Sequence, residues 1–176
     1  MNITIRQECL SDIHEVSQLI EAAFKTVEYS DHQEQFLVER LRKSKAFIPA
    51  LSLVAESNKK IVGHILLTKL KIKNTQQTFE SLALAPVSVW PDCQGQGVGG
   101  QLIQKAHDIA KKLGYQSVVL LGHPDYYPRF GYQQADTFGI ELPFDVPKEN
   151  CMAIELTENG LQGVSGMVEY PKAFNG

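Results

Sequence analysis

Four glycines lie within six residues of one another, directly before a segment with a helical pattern: Gly95, Gly97, Gly99 and Gly100. Glycine is unfavourable inside a helix, so a cluster at the start of one needs another explanation. The first turn of a helix has unpaired N–H groups and partial positive charge, and glycine lets a bulky anion approach them. Glycine also adopts the positive φ angles that converging N–H groups require. The run therefore predicts a binding site for an anion such as a diphosphate.

The run "GQGVGG", residues 95–100, also matches the dinucleotide-binding pattern G-x-G-x-x-G. That interpretation requires the motif in the first strand–helix unit and an acidic residue at the end of the next strand. Here the motif lies in the middle of the chain, and the next predicted strand ends in Gly122-His123-Pro124. A Rossmann-type oxidoreductase is therefore disfavoured. The P-loop pattern G-x-x-x-x-G-K-[ST] does not occur, which argues against that nucleotide site.

The segments before the glycine run predict one strand, two helices and three more strands. Residues 2–6 alternate as a short strand, and a helix begins at residue 11 or 12. A second helix begins near residues 30–34, where two capping-box spacings overlap. Its predicted apolar face consists of Phe36, Leu37 and Leu41. Residues 51–89 have strand periodicity, and the breaks "NKK" and "NTQQ" are so short that they predict three antiparallel strands.

The segments after the run predict a strand–helix–strand crossover. The helix places its apolar side chains on one face: Val98, Leu102, Ile103, Ala106, Ile109, Ala110 and Leu113. The strand "SVVLLG" follows, then a helical turn in "HPDYYPRFGYQ", the strand "CMAIELT" and a last strand at residues 167–170. A crossover of this kind joins parallel strands and is right-handed in nearly all cases. The sequence therefore predicts an α/β chain with a mixed sheet and helices on both faces.

The glycine run and its surroundings resemble one known family. The residues Gln94-x-x-Gly97-x-Gly99 resemble Q/R-x-x-G-x-G/A, the pyrophosphate-binding signature of the GNAT superfamily of acyl-CoA-dependent N-acyltransferases. The strand "LALAPVSV" before the run, the helix after it and the element "YYPRFGY" also resemble that family. The resemblance covers about residues 2–157, with its most specific part at 82–132. It implies a mostly antiparallel mixed sheet with splayed central strands, a GNAT domain at 1–157, and an extension at 158–176 that packs on this domain but lies outside the common fold.

The resemblance implies acetyl-CoA as cosubstrate, bound where the strands "LALAPVSV" and "SVVLLG" part. Pro86 supports this parting independently, because a proline inside a strand interrupts the ladder. The N–H of Val87 or Ser88 would polarise the thioester oxygen, and the backbone after Gln94 would hold the pyrophosphate. The cofactor-binding residues that the resemblance implies are Val87, Ser88, Val89, Gln94, Gly95, Gln96, Gly97, Val98, Gly99, Gly100, Tyr127 and Phe130.

The reaction that the resemblance implies is direct attack of an amine on the thioester, without an acyl-enzyme. Tyr127 matches the general acid of the family, which returns a proton to the CoA thiolate. The general base is not fixed by the motif, and Glu80 is the first candidate. Others lie in the loop between the first two helices: Glu28, Asp31 and His32. The acceptor remains open between a small amine, a peptide N-terminus and a lysine.

The composition of the chain argues against several classes of protein. The chain has 176 residues, of which 43% are hydrophobic and 21% charged, as in an ordinary globular domain. A net charge of −3 gives no reason to expect nucleic acid, and no apolar run predicts a membrane span. Three scattered cysteines and a polar N-terminus lead us to expect a cytoplasmic protein with no metal site. Two alternatives stay open: a non-catalytic acyl-CoA-binding domain of the same fold, and a tail strand that either extends the sheet or pairs across a homodimer.

Overall fold

A computed structural model describes all 176 residues and contains three helices and nine strands. Their order is β1 (Thr4–Gln7), α1 (Ile13–Phe24), α2 (Glu34–Arg42), β2 (Ser52–Ser57), β3 (Lys60–Lys73), β4 (Thr78–Val89), α3 (Val98–Lys112), β5 (Ser117–Leu121), β6 (Gln133–Gln134), β7 (Ile140–Glu141), β8 (Cys151–Glu155) and β9 (Gly166–Glu169). Short 3₁₀ turns join several of them, including Tyr127–Phe130. The three long strands predicted between residues 51 and 89 are confirmed as β2, β3 and β4.

The two hairpins follow from the residues in their turns. Asn58 and Lys59, between β2 and β3, both have positive φ angles, at 51° and 63°. Two consecutive positive φ angles make the kind of tight turn whose twist matches that of the flanking strands. In the turn between β3 and β4, the Asn74 side chain accepts hydrogen bonds from the N–H groups of Gln76 and Gln77, each at 2.9 Å. The side chain thereby replaces a backbone partner and fixes the reversal of the chain.

The sheet is mixed and mostly antiparallel, as predicted. The strands lie in the order β1-β2-β3-β4-β5-β8-β6, and β4–β5 is the parallel pair at its centre. Helix α3 packs on one face over the largest apolar core, while α1 and α2 pack on the other face over a separate core. Because the sheet separates these two of the three apolar clusters, each helix has a single apolar stripe.

The central strands β4 and β5 part soon after they meet. They pair only at Leu82 with Val118 and at Ala83 with Val119, although β4 continues to Val89. On its other side β4 has a bulge next to Pro86, where the pairing with β3 shifts register. Proline has no N–H to donate, and a bulge bends the strand that carries it. The splaying of the central strands is therefore confirmed, with the interruption at the proline that predicted it.

The C-terminal segment packs on the same sheet. Strand β9 pairs with β3 at residues 71–73 and with β7, so the tail strand extends the sheet of its own chain. Gly166 makes this approach possible, because a Cβ there would collide with the Lys73 carbonyl group. Beyond β9, the Ala173 carbonyl accepts a hydrogen bond of 2.9 Å from Arg40 Nε in α2.

Two predicted helix faces need correction. Phe36 is 47% exposed, and Val38 is fully buried instead, because α2 begins at Glu34 and turns Phe36 outward. Leu113 is 49% exposed because α3 ends at Lys112, one residue earlier. The buried face of α3 contains His107, which the apolar pattern did not include; its Nε2 lies 2.8 Å from the Tyr132 hydroxyl. A polar residue with a buried partner fits a core as well as an apolar one does.

Candidate active site

The parting of β4 and β5 opens a cleft of about 730 Å³ that is lined from both faces of the sheet. The strand ends contribute residues 84–87, Val89, Leu121 and Gly122. One side, here called the loop wall, consists of residues 93–95 and 97–100 together with Tyr126, Arg129 and Phe130 of the aromatic segment 126–130. The opposite side, here called the α1–α2 wall, consists of Phe24, Tyr29, Glu34 and Leu37. A volume of several hundred Å³ is typical of a site for a small molecule or cofactor.

The first two glycines of the loop wall have left-handed backbones. Gly95 and Gly97 have φ angles of 77° and 83°, and no atom lies within 4 Å of where a Cβ would be. The first helical hydrogen bond of α3 runs from the Gln101 N–H to the Gly97 carbonyl, at 3.1 Å. The preceding N–H groups therefore have no helical partner and lie beside open space at a helix N-terminus. This is the geometry that an anion site requires.

The other two glycines serve a different purpose. A Cβ at Gly99 would lie 3.1 Å from the Tyr126 hydroxyl, and one at Gly100 would lie 3.4 Å from the Phe130 ring. Both positions face the aromatic segment, but only at Gly99 would a Cβ lie closer than an ordinary contact. The four glycines thus divide into two that shape the loop and two that face the aromatic rings.

The remaining predicted cofactor residues occupy different positions. All of the predicted cofactor residues line the cleft except two, Ser88 and Gln96. Ser88 is 2% exposed and pairs with the buried His64 of β3, since alternate residues of a strand face opposite sides of a sheet. Gln96 Nε2 donates to the Asp92 carbonyl at 3.3 Å. The predictions for these two residues concern backbone N–H groups and stay predictions.

Gln94 connects the loop wall to the splayed strand. Its Nε2 donates a hydrogen bond of 3.1 Å to the carbonyl of Val89, the last residue of β4. This contact holds the glycine loop against the strand whose edge faces the cleft. It gives a structural reason for a glutamine at this position of the signature.

Tyr127 lies between the two walls. Its ring packs against Gly122 at the end of β5, where a Cβ would collide with it. Tyr126 and Tyr132 contact it edge-on, with ring centroids at 5.0 and 5.8 Å. Burial is the main cause that raises the pKa of Tyr127 above its ordinary value. The phenol therefore keeps its proton at neutral pH and is a hydrogen-bond donor in the cleft.

The α1–α2 wall contains a carboxylate that the sequence analysis missed. Glu34 is the only acidic side chain that lines the cleft. Its Oε1 accepts a hydrogen bond from the Ser30 hydroxyl, while its Oε2 is buried and has no partner. The Ser30 oxygen in turn accepts the His32 N–H at 2.9 Å. In the sequence, Glu34 enters only through the capping-box spacing Asp31–Glu34, which indicates a helix start.

The predicted candidates for a general base lie elsewhere. Glu80 is exposed and pairs with Lys71 in the β3–β4 ladder, seven residues before Val87. Glu80 is not among the residues that line the cleft, and the first lining residue of β4, Leu84, lies about 13 Å further along the strand at about 3.3 Å per residue. Glu28 is exposed and outside the lining. Asp31 and His32 fix the loop instead: Asp31 Oδ1 accepts the Gln33 N–H at 2.9 Å, and His32 Nδ1 lies 3.0 Å from the Phe24 carbonyl oxygen.

Positive charge lies on the loop wall. The Arg129 guanidinium lies 4.6 Å from the centroid of the Tyr126 ring, and its Nε donates to the Tyr126 carbonyl at 2.9 Å. His123 also lines the cleft. The loop wall therefore combines the Arg129 guanidinium with N–H groups that have no helical partner, whereas the opposite wall has a carboxylate.

Known proteins are similar to this chain in sequence and in fold. A family model described as an acetyltransferase (GNAT) domain matches residues 4–135. The chain belongs to the GNAT acetyltransferase family. It is 38% identical to the uncharacterized N-acetyltransferase YjhQ of Escherichia coli K12 over 141 residues, which cover 80% of this chain and 74% of YjhQ. It is 28% identical to the uncharacterized N-acetyltransferase YhbS of Escherichia coli K12 over 172 residues, which cover 97% of this chain and 98% of YhbS.

Two solved structures of GNAT proteins are similar over nearly the whole chain. The crystal structure of Escherichia coli YhbS in complex with CoA has a TM-score of 0.89 at 26% identity and covers 100% of this chain and 93% of that one. A GNAT acetyltransferase from Brucella melitensis, in complex with acetyl-CoA, has a TM-score of 0.81 at 33% identity and covers 98% of both chains. The alignment with YhbS covers the whole of this chain, so it includes residues 158–176.

None of the three helices of this GNAT chain combines the length and the apolar character needed to cross a bilayer.

Proposed function

We propose that this chain is an N-acetyltransferase that moves an acetyl group from acetyl-CoA to a primary amine by direct attack in a ternary complex. The observation that supports this most is the cleft itself. It has unpaired N–H groups at a helix N-terminus on one wall, a carboxylate on the other wall, and Tyr127 between them. An anionic cofactor and a cationic acceptor would therefore enter from opposite walls and meet beside a proton donor.

Acetyl-CoA fits the loop wall by its chemistry. The N–H groups of residues 95–100 would bind the pyrophosphate, which Gly95 and Gly97 leave room for. The pantetheine arm would lie along β4 after Leu84, where the strand has lost its partner β5. The N–H of Val87 or Ser88 would donate to the thioester oxygen as negative charge develops there. The complexes of YhbS with CoA and of the Brucella melitensis protein with acetyl-CoA support this assignment.

Tyr127 would assist departure of the thiolate. As the amine attacks the carbonyl carbon, the C–S bonding electrons leave with sulfur, which the Tyr127 hydroxyl stabilises by a hydrogen bond. A free thiol has a pKa of about 8.5, so the thiolate leaves readily. Because burial raises the pKa of Tyr127, the phenol relays a proton from the new amide nitrogen to sulfur and does not remain ionised.

The first experiment is thermal unfolding of the full chain with acetyl-CoA, CoA, NAD or ATP at matched concentration. A ligand that binds only the folded state raises Tm. We expect a rise with acetyl-CoA and CoA and none with NAD. A rise with NAD alone would contradict the proposal. A rise with both CoA species but no CoA release with any amine would indicate the non-catalytic acyl-CoA-binding alternative.

Replacing Tyr127 by Phe tests the proton donor. We expect Tyr127→Phe to lower kcat by about 10- to 100-fold, the lower part of the range for general acid catalysis, and to leave the Kd for acetyl-CoA within about twofold. The measurement is thiol release together with calorimetric titration of acetyl-CoA. Tyr170→Phe is the matched control, because Tyr170 is a partly buried tyrosine of another core, and its substitution should leave kcat unchanged. Wild-type turnover of Tyr127→Phe would assign the role to another group.

A further inference from the structure

The carboxylate of Glu34 is satisfied on one side only. The Ser30 hydroxyl donates to Oε1, but Oε2 is buried without any hydrogen-bond partner. A buried polar atom without a partner is rare in folded proteins because its desolvation is not offset by a hydrogen bond. Glu34 lines the cleft, so a ligand group in the cleft is the natural donor to Oε2.

The surroundings of Glu34 indicate what that donor is. Phe24, Tyr29 and Leu37 line the same wall, so an acceptor would have an apolar part beside its polar group. No other acidic side chain lines the cleft, and the one arginine that lines it is on the loop wall. A cationic group would therefore be attracted to Glu34 and not to the wall where we place the cofactor. Tyr29 and Tyr127 line the same cleft.

We propose that Glu34 binds the ammonium group of the acceptor and removes its first proton, and that the acceptor is a primary alkylamine with an apolar chain. This inference rests on the proposed acetyl transfer. The N–H⁺ group donates to Oε2, and transfer of that proton leaves a neutral amine. The nitrogen lone pair forms the C–N bond to the acetyl carbonyl carbon, and the C–S bond breaks with its electrons on sulfur. The second amine proton goes to sulfur, and Glu34 later releases the first proton to solvent.

Ser30 is a positioning residue in this scheme. Its hydroxyl holds Oε1, and the His32 N–H holds the Ser30 oxygen at 2.9 Å. The pair holds Oε1 and leaves Oε2 as the oxygen without a partner, and the neutral Ser30 hydroxyl does not neutralise the charge of the carboxylate. Loss of Ser30 would loosen Glu34, whereas loss of the charge would remove its function.

The test compares four forms of the full chain: wild type, Glu34→Gln, Ser30→Ala and Glu39→Gln. Glu39 is the matched control, because it lies on the same helix, pairs with Lys43 and has a side chain that is 56% exposed. The acceptors are phenethylamine, hexylamine, 1,4-diaminobutane and a lysine-containing peptide, and the best of them is used for all variants. The readouts are kcat/KM for the amine and the Kd for acetyl-CoA.

We expect Glu34→Gln to lower kcat/KM for the amine by about 100-fold, as for the loss of a general base. Ser30→Ala should lower it by no more than about fivefold, since the base is kept, and Glu39→Gln should leave it unchanged. The Kd for acetyl-CoA should stay within about twofold in all variants.

Three outcomes would overturn the inference in distinguishable ways. Wild-type activity of Glu34→Gln would show that Glu34 does not act on the amine. An equal loss in Ser30→Ala and Glu34→Gln would mean that the carboxylate only holds the loop. Binding of acetyl-CoA by the wild type with no acetylation of any of the four amines would contradict the proposed function itself, and the inference with it.

Discussion

The loop wall and the α1–α2 wall of the cleft differ in what they present to a ligand. The loop wall presents backbone N–H groups from consecutive residues, exposed by the positive φ angles of Gly95 and Gly97. The α1–α2 wall presents side chains, of which Glu34 carries the charge. A backbone site suits a ligand group that many proteins share, such as a diphosphate. A side-chain site can change by single substitutions while the fold is kept, so it suits the part of the reaction that distinguishes one acceptor from another.

The largest expected effect comes from placing a charge on the loop wall. Gly97→Glu would put a carboxylate into the open space beside residue 97, where the diphosphate would bind. Placing a carboxylate directly beside the diphosphate costs several kcal/mol of repulsion, so we expect the affinity for acetyl-CoA to fall by more than about 100-fold. Calorimetric titration of the variant measures this loss.

A second variant separates charge repulsion from backbone strain. Gly97 has a φ angle of 83°, so any side chain there costs about 1–2 kcal/mol of stability. Gly114→Glu is the matched control, because Gly114 has a φ angle of 95°, open surroundings and a position after α3 away from the cleft. Both variants should lose similar stability, but only Gly97→Glu should lose affinity. An equal loss of affinity in both, or in neither, would mean that the loop wall does not bind the anion.

Each wall is supported by one buried histidine. On the loop-wall side, His107 of α3 lies against the Tyr132 hydroxyl. On the α1–α2 side, His64 Nε2 lies 3.1 Å from the Ser52 hydroxyl, which donates to Glu8, the partner of Arg42 in α2. Burial is the main cause that lowers the pKa of each histidine to about 4. Both are therefore neutral in the folded protein at pH 5, whereas histidines of the unfolded chain with a pKa of about 6.5 are mostly protonated.

Lowering the pH should therefore destabilise the folded protein, because it protonates the histidines that lie behind the two walls. Below pH 6.5 His64 and His107 are protonated in the unfolded chain, but in the folded chain they stay neutral until about pH 4. The free energy of unfolding therefore falls as the pH falls from 6.5 to 4. One histidine accounts for about 2 kcal/mol between pH 6.5 and pH 5. Urea unfolding at pH 7 and pH 5 measures this loss of the free energy of unfolding. In His107→Gln the loss should be smaller by the contribution of one histidine. An identical pH dependence in wild type and variant would contradict the neutral state of His107.

The difference between the walls also explains how much could be predicted from the sequence. Residues 94–100 are consecutive, and the backbone geometry follows from their type, so the glycine loop could be predicted from the sequence, while its binding of a cofactor stays a prediction. The strand break at Pro86 was predictable for the same reason. Glu34 was not, because its significance lies in the unpartnered Oε2 and in its position opposite Tyr127, which depend on how α2 packs. Glu80 lies near the start of β4, and its choice as a base conflicts with the parting of the strands predicted at Pro86, near the other end of β4.

The smallest expected effect distinguishes the glycines of the loop wall from one another. Gly100 lies in the first turn of α3, where a Cβ would meet the Phe130 ring at 3.4 Å, an ordinary packing distance. Gly100→Ala should therefore raise the free energy of unfolding by about 0.5–1 kcal/mol, through better helix propensity and a contact with Phe130. Gly95→Ala should lower it by about 1–2 kcal/mol, because residue 95 has a φ angle of 77°. Urea unfolding measures both changes. If the two substitutions change the free energy of unfolding in opposite directions, the fold does not require glycine at position 100, and its small size matters for the ligand. If Gly100→Ala lowers the free energy of unfolding, the aromatic segment needs the closer approach that glycine allows.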